Sequence, residues 1–358
     1  MIRPLAPGAT IGIIGGGQLG RMLSMAAARL GYRTVILEPQ PDCPAAQVSS
    51  SQIVAGYDDR AALTGLAAQC DVVTYEFENV PVGGAKLLTD HVAVFPPPLA
   101  LETAQDRLAE KTFLNRQGIS TARFASVDSE EDLAAGLKEF GGEGVLKTRR
   151  FGYDGKGQRV FRKGGKGERD GAFAAMGGVP LILESLVPFG FEFSIIAARG
   201  QDGSKKAYDA VRNEHREGIL RRSTVPAAML THMEEAAREA AFTLMDALGY
   251  VGVIGVEFFA LDDGTALANE FAPRVHNSGH WTEAACAVSQ FEQHIRAVAG
   301  LPLGDTKRHS DCMMENLIGD EIERIPDLLW EDGVVLELYG KTETRPGRKM
   351  GHFTRLTS

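Results

Sequence analysis

The sequence predicts a chain of mixed α/β and α+β architecture, and three observations predict it. Over the first hundred residues, short apolar runs alternate with helical patterns, as in a parallel sheet with crossover helices. The run Pro96-Pro97-Pro98 stops that alternation and marks a boundary. Beyond it strands follow one another, and Asp262-Asp263-Gly264 between two apolar runs is a hairpin signal.

In the first unit a strand is expected over 10–14, a glycine turn over 15–17, a helix to about 30 and a strand over 34–38. Strands at 72–75 and 92–95 follow, with helices at 60–69 and 83–89. A second unit opens with a helix over 99–117, then strand 122–127, helix 129–140, strand 144–147 and a loop over 148–157. Its stretch 162–171 (RKGGKGERDG) reads as a solvated turn, and strands are expected at 181–186 and 191–198. A third unit starts with a long helix over 227–248, then strands 252–260 and 265–272 and a helix over 290–299. The tail carries a strand over 334–339 and a basic segment over 341–349.

A length of 358 residues suits two or three domains, and 44% apolar with 24% charged residues is an ordinary soluble composition. The net charge of −9 opposes non-specific binding to nucleic acid or acidic membranes, so an anionic substrate needs a local cationic pocket. Cys43, Cys70, Cys286 and Cys312 lack metal-ligand spacing and read as free thiols of a reducing compartment. No apolar run reaches membrane-spanning length, and MIRPLAPGAT has no signal-peptide core, so the expectation is a cytoplasmic protein.

Five motifs could carry chemistry. Gly15-x-Gly17-x-x-Gly20 follows a strand and opens a helix, where backbone N–H groups can meet phosphate, and Glu38 ends the next strand where a dinucleotide fold keeps its ribose acid. An NAD site and a tight scaffold turn are both open readings of it. Lys147 precedes Arg149, Arg150 and the loop Gly152-Tyr153-Asp154-Gly155-Lys156-Gly157-Gln158, whose glycines let backbone bend around phosphates while the cations supply charge. An exposed basic hairpin is the plainer alternative. Glu257 and Asn269-Glu270 interrupt apolar runs on neighbouring strands, and two adjacent carboxylates there suit Mg²⁺. Pairing of each with an arginine, Arg274 for example, is the other reading. The run from Arg274 through His276, Asn277, Ser278 and His280 crowds donors behind that pair, and Arg274 can hold a planar anion by two parallel bonds. Lys341 with Arg345, Arg348 and Lys349 forms a local anion site or a solvated tail.

Lys147, GYDGKGQ, the segment 183–192 and NE-FAPRVHNSGH together resemble the ATP-grasp superfamily, and GGGQLGRM, GYVGVIGVE, APRVHNSGHWT and RPGRKMGH extend the resemblance, within it, to the N5-carboxyaminoimidazole ribonucleotide synthetase family of purine biosynthesis. The resemblance covers nearly the whole chain. It implies an N-terminal Rossmann-like domain over 1–98, an ATP-grasp region over 99–300 with a mobile lid at about 120–190, and a small C-terminal domain over 301–358. The metal site would lie in the C-terminal part of the grasp.

The resemblance also implies roles. Arg107, Lys147 and the loop from Gly152 to Gln158 would hold ATP phosphates; Glu184, Ser185, Leu186, Val187 and Glu192 would meet adenine and ribose, with His215 nearby. Glu257 and Glu270 would bind Mg²⁺ beside Asn269. Tyr153, Asp154, Arg274, His276, Asn277, Lys341 and Arg348 would hold aminoimidazole ribonucleotide, bordered by Glu76, Gln18 and Leu19. Bicarbonate would attack ATP to give carboxyphosphate and ADP, and the substrate amine would capture the activated carboxyl or CO₂ released from it. A homodimer is the family expectation. The rival readings are an NAD-dependent oxidoreductase, a non-catalytic ATP-binding regulator and a sibling ligase acting on another amine.

Overall fold

The computed structural model describes residues 3–152, 157–164 and 169–357. The N-terminal sheet has strands β1 (Thr10–Ile14), β2 (Arg33–Leu37), β3 (Ser51–Ile53) and β4 (Val72–Tyr75). Its order is β3-β2-β1-β4, and every pairing is parallel. The expected strand over 92–95 shrinks to one bridge, Val73 with Val94, because the prolines that follow offer no N–H to continue a ladder. β3 was not expected: three residues, SQI, none fully buried, leave no hydrophobic pattern to read.

The expected helix over 99–117 is two helices, Pro98–Ala104 and Arg107–Arg116. Asp106 separates them by accepting the N–H groups of Leu108 and Ala109 on Oδ1, which starts the second helix afresh. An antiparallel four-stranded sheet follows, with β5 (Phe124–Val127), β6 (Gly144–Thr148), β7 (Gln158–Phe161) and β8 (Leu181–Glu184) in the order β5-β8-β6-β7. Helix Glu130–Glu139, capped by the Ser129 side chain, buries Leu133 and Leu137 against Val127, Leu146 and Leu183. The turn expected over 162–171 falls partly outside the described residues.

The remaining strands make a large sheet: β9 (Phe189–Arg199), β10 (Lys205–Ala207), β11 (Val211–Arg216), β12 (Ile219–Val225), β13 (Gly252–Leu261), β14 (Ala266–Ala272), β15 (Cys312–Ile318), β16 (Val334–Leu338) and β17 (Lys349–Leu356). Its order is β14-β13-β9-β11-β12-β15-β17-β16, with β10 on β9, so residues 312–356 extend the sheet begun at 189. Alternate residues of β9 enter opposite cores, as the two-residue period of a strand requires. Phe193 and Ile195 pack with Met233, Ala241 and Leu244 of helix Thr231–Ala247. Ile196 and Ala198 pack in the cluster that holds Phe291 and Ile295 of helix Gln290–Val298, and Leu19 and Met22 of helix Gln18–Arg29.

His294 joins the two sheets. Val253 N–H of β13 donates to its Nδ1 at 3.1 Å, so the ring is neutral there and its Nε2–H donates to Thr74 Oγ1 of β4 at 2.8 Å. Burial pushes this imidazole down to about 3, in keeping with a ring that must accept at Nδ1. No helix among the described residues is long and apolar enough to cross a membrane.

Candidate active site

The glycine turn after β1 binds the protein's own carboxylates. Gly17 N–H donates to Glu76 Oε1, Gly20 N–H to Glu76 Oε2 at 2.6 Å, and Gly16 N–H to Glu38 Oε2 at 2.9 Å. Tyr57 OH also donates to Glu38. The helix N-terminus thus carries an anion supplied from the end of β4, the place a cofactor phosphate would take. A Cβ on Gly15 would come within 2.3 Å of Glu76 Cγ, so the turn needs glycine to admit that carboxylate. This geometry disfavours the dinucleotide reading and leaves Glu38 as a brace. Burial raises the Glu76 carboxyl above its usual range, opposed by the two N–H donors. Gln18 is half-buried at the turn, while Leu19 sends its side chain into the core.

Downstream, the chain gathers the central residues around one pocket. Its lining includes Arg107, Gly152, Glu257, Glu270, Arg274 and His276, together with Glu78, Gln105, Glu110 and Arg149. Glu257 of β13 and Glu270 of β14 stand directly opposite each other in the ladder. Each carboxylate has a cationic or titratable neighbour: Arg107 Nη1 donates to Glu270 Oε2 at 2.9 Å, and His276 Nε2 lies 3.2 Å from Glu257 Oε1. The suggested partner Arg274 goes elsewhere, to Glu78 through its Nε. Burial would raise the Glu257 carboxyl, but His276 beside it holds it at about 2. Burial likewise opposes ionisation of Glu78, and the Arg274 guanidinium overcomes it, to about 2. Glu110 is the counterexample. Burial and then the Glu270 charge lift its carboxyl to about 8, although Phe271 N–H donates to it at 2.7 Å. The donor set of two facing carboxylates fits Mg²⁺, which keeps its other positions for water and phosphate oxygens. Among the described residues no third His, Cys, Asp or Glu completes a protein-only metal cage.

Lys147, on β6 of the small sheet, donates from Nζ to Glu184 Oε2 at 2.9 Å. The buried Lys111 lies 3.4 Å from the same oxygen and donates to Asn269 O at 3.0 Å. Burial opposes charge on Glu184, yet these two lysines hold it at about 2. Its side chain is therefore a counter-ion within the protein, while Ser185, Leu186 and Val187 line a cavity with Arg123 and Phe140. His215 Nδ1 and Glu192 Oε2 lie 2.8 Å apart; burial alone would lower this imidazole, and the Glu192 hydrogen bond raises it. Gln158 starts β7 opposite Lys147, and Gly157 adopts φ +71 with Thr148 Oγ1 only 2.8 Å from where a Cβ would stand. Tyr153, Asp154, Gly155 and Lys156 lie outside the described residues.

In the tail, Lys341 Nζ donates to Lys349 O at 2.6 Å, and Arg348 Nη1 to Glu343 O at 2.9 Å. Burial, then the Arg348 charge, pushes the Lys341 ammonium down to about 8. Glu76 is close enough to oppose that shift, which links the tail to the end of β4. Asn277 has both amide atoms buried without a partner, an orphaned donor and acceptor in a loop braced by Gln290.

Sequence reasoning missed Glu78, Glu110 and Lys111. Glu78 stood two residues from Glu76, and only the buried Arg274 reveals its use. Glu110 and Lys111 lie in an ordinary helical pattern with no local signal. It also read Arg149 as a free phosphate cation, whereas its guanidinium forks onto Asp106.

A small antiparallel sheet that carries Lys147, together with a large sheet that pairs Glu257 with Glu270, defines an ATP-grasp enzyme. The model of an ATP-grasp domain matches residues 112–291, that of a ribonucleotide synthetase preATP-grasp domain residues 8–105, and that of a phosphoribosylaminoimidazole carboxylase C-terminal domain residues 312–358. The chain is 63% identical over 352 residues to the N5-carboxyaminoimidazole ribonucleotide synthase of Brucella melitensis, covering 98% of this chain and 97% of that protein. An ADP complex of N5-carboxyaminoimidazole ribonucleotide synthetase superposes with a TM-score of 0.96 at 42% identity, covering 100% of this chain and 94% of the other. The Aspergillus clavatus enzyme in complex with ADP and 5-aminoimidazole ribonucleotide gives a TM-score of 0.90 at 29% identity, covering 98% and 94%. The chain belongs to the N5-carboxyaminoimidazole ribonucleotide synthase family.

Proposed function

We propose that this protein carboxylates the amine of 5-aminoimidazole ribonucleotide to N5-carboxyaminoimidazole ribonucleotide, using ATP and bicarbonate, in purine biosynthesis. The observation that carries it is the single pocket where Arg107 and Gly152 of the nucleotide side meet Glu257, Glu270, Arg274 and His276. ATP lies against Arg107, Lys147 and residues 152–158, with its base toward Ser185, Leu186 and Val187 and its ribose toward Glu192. Glu257 and Glu270 would hold Mg²⁺, which would neutralise charge on the phosphates.

Bicarbonate oxygen attacks the γ-phosphorus and ADP leaves, giving carboxyphosphate. The amine then attacks the carboxyl carbon and phosphate departs. Bicarbonate is already an anionic nucleophile, so the residues act by positioning and charge neutralisation. Arg274, fixed by Glu78, orients a planar anion, and His276 beside Glu257 stands where the two substrates meet. Lys341 and Arg348 receive the ribonucleotide phosphate, and the unpartnered Asn277 amide offers a donor and an acceptor to the same substrate. A lid over residues 120–190 keeps water from the reactive carboxyphosphate. The three-part division at 98 and 300, the homodimer and a cytoplasmic setting belong to the same reading, supported by the family.

ADP release across several candidate amines, with and without bicarbonate, tests it. Turnover should require aminoimidazole ribonucleotide and bicarbonate together. Equal turnover with glycinamide ribonucleotide or with no amine would point to a sibling ligase or a plain ATPase.

A further inference from the structure

We propose that Asp106 and Arg149 are positioning residues that act as one unit, fixing the entrance of the glycine-rich segment onto the helix that carries Arg107. The inference deepens the reading above and rests on its nucleotide site. Arg149 follows β6 and forks onto one carboxylate: Nε lies 3.1 Å from both oxygens of Asp106, and Nη2 lies 2.8 Å from Oδ2. The Asp106 side chain is 13% exposed and that of Arg149 25%, so solvent screens the pair only in part. The same carboxylate caps the helix, taking Leu108 N–H at 3.0 Å and Ala109 N–H at 3.2 Å. One side chain therefore sets where the helix begins and where the end of β6 sits.

Neighbouring bonds repeat the connection. Arg107 N–H donates to Arg149 O at 2.9 Å, Arg107 Nη2 to Gly152 O at 3.2 Å, and Arg150 Nη2 to Gln105 Oε1 at 3.0 Å. Residues 105, 106 and 107 are each tied to the stretch 149–152. Arg107 is thereby held with its other nitrogen, Nη1, on Glu270. A planar guanidinium fork fixes orientation as well as distance, which a lysine ammonium does not. With its charge already engaged by Asp106, Arg149 acts on the nucleotide through Arg107 and Gly152.

A double-mutant cycle on the full-length enzyme tests this, with ATP KM, ribonucleotide KM and the Kd of a fluorescent ADP analogue as readouts. The variants are Arg149→Gln, Asp106→Ser, their combination and Arg149→Lys. Serine keeps a helix-capping oxygen, so Asp106→Ser removes the fork and spares the cap. Each single change should raise ATP KM and the ADP Kd about tenfold, the double change no more than about tenfold, and ribonucleotide KM less than about twofold. Arg149→Lys should stay at least about threefold impaired, since it keeps charge without the fork. Multiplying effects in the double variant, an unaffected Asp106→Ser enzyme or full rescue by lysine would overturn the proposal, because each means that Arg149 meets phosphate directly. Failure of the wild-type enzyme to need both bicarbonate and the ribonucleotide would instead refute the proposed reaction, and the ADP affinities would still judge the unit.

Discussion

Glu78→Gln removes the carboxylate that balances Arg274, whose largely buried guanidinium would keep its charge without that counter-ion. Two routes give the magnitude. The Glu78 carboxyl sits at about 2 in the folded protein against an ordinary 4.5. That depression is worth about 3 kcal/mol at neutral pH by proton linkage. Breaking a buried pair by deleting one partner costs about 3–5 kcal/mol. The Glu78 side chain is 31% exposed, so screening by solvent brings the expected loss to about 2–3 kcal/mol. The sign follows from the lowered value: the contribution is complete above pH 4.5 and is lost as pH falls toward 2. Urea unfolding of both proteins at pH 7 and again at stepwise lower pH measures it. The variant should be less stable by that amount at pH 7, and the gap should narrow only below about pH 4.5. Equal stability at pH 7, or a gap that stays constant to pH 3, would refute the assignment of Glu78 as the counter-ion of Arg274.

Glu270→Gln should leave the protein folded and cut turnover at least about tenfold, ~1.4 kcal/mol of barrier, with a weakened Mg²⁺ dependence, as an ADP-release assay under Mg²⁺ titration reads. The Lys341 ammonium, pushed down to about 8, binds phosphate only while protonated, so ribonucleotide KM should rise as pH passes 8. Lys341→Arg should move that limb beyond about pH 10, because guanidinium stays charged. His294 is neutral when folded and titrates near 3 instead of 6.5, so the unfolded chain takes up its proton first and stability falls as pH drops below 6.5. His294→Gln should flatten the stability profile between pH 6.5 and 5.5 by about 1 kcal/mol relative to wild type, measured by urea midpoints.

What the sequence made legible was local. The parallel unit could be read because β1, β2 and β4 are short, nearly all-apolar runs separated by helical periodicity. Glu257 and Glu270 stood out because charge interrupts apolar strands, and their direct cross-strand pairing follows from the hairpin between them. Strands β11 and β12, VRNEHR and ILRRSTV, were illegible for the opposite reason. β11 carries charge at every second residue and β12 has two adjacent arginines, Arg221 and Arg222, so hydrophobicity alone reads them as loop. β15 and β17 pair with each other and join β12 across about ninety residues of chain, a placement no local pattern encodes. The glycine turn stayed ambiguous for a physical reason: Gly-x-Gly-x-x-Gly signals only that an anion meets backbone N–H groups, and here the carboxylate is that of Glu76. Asp106 was hidden inside a continuous helical pattern, so neither the helix break nor the fork to Arg149 had a sequence signal.

In the proposed reaction bicarbonate is the nucleophile toward ATP and its carbon ends on the substrate amine. Turnover with ¹³C,¹⁸O-labelled bicarbonate, read by NMR of the product and by mass spectrometry of the released phosphate, tests it most directly. The expected result is ¹³C in an N-carboxylated aminoimidazole ribonucleotide and one ¹⁸O atom in each phosphate. Phosphate free of ¹⁸O, or ADP formed without the labelled product, would contradict it.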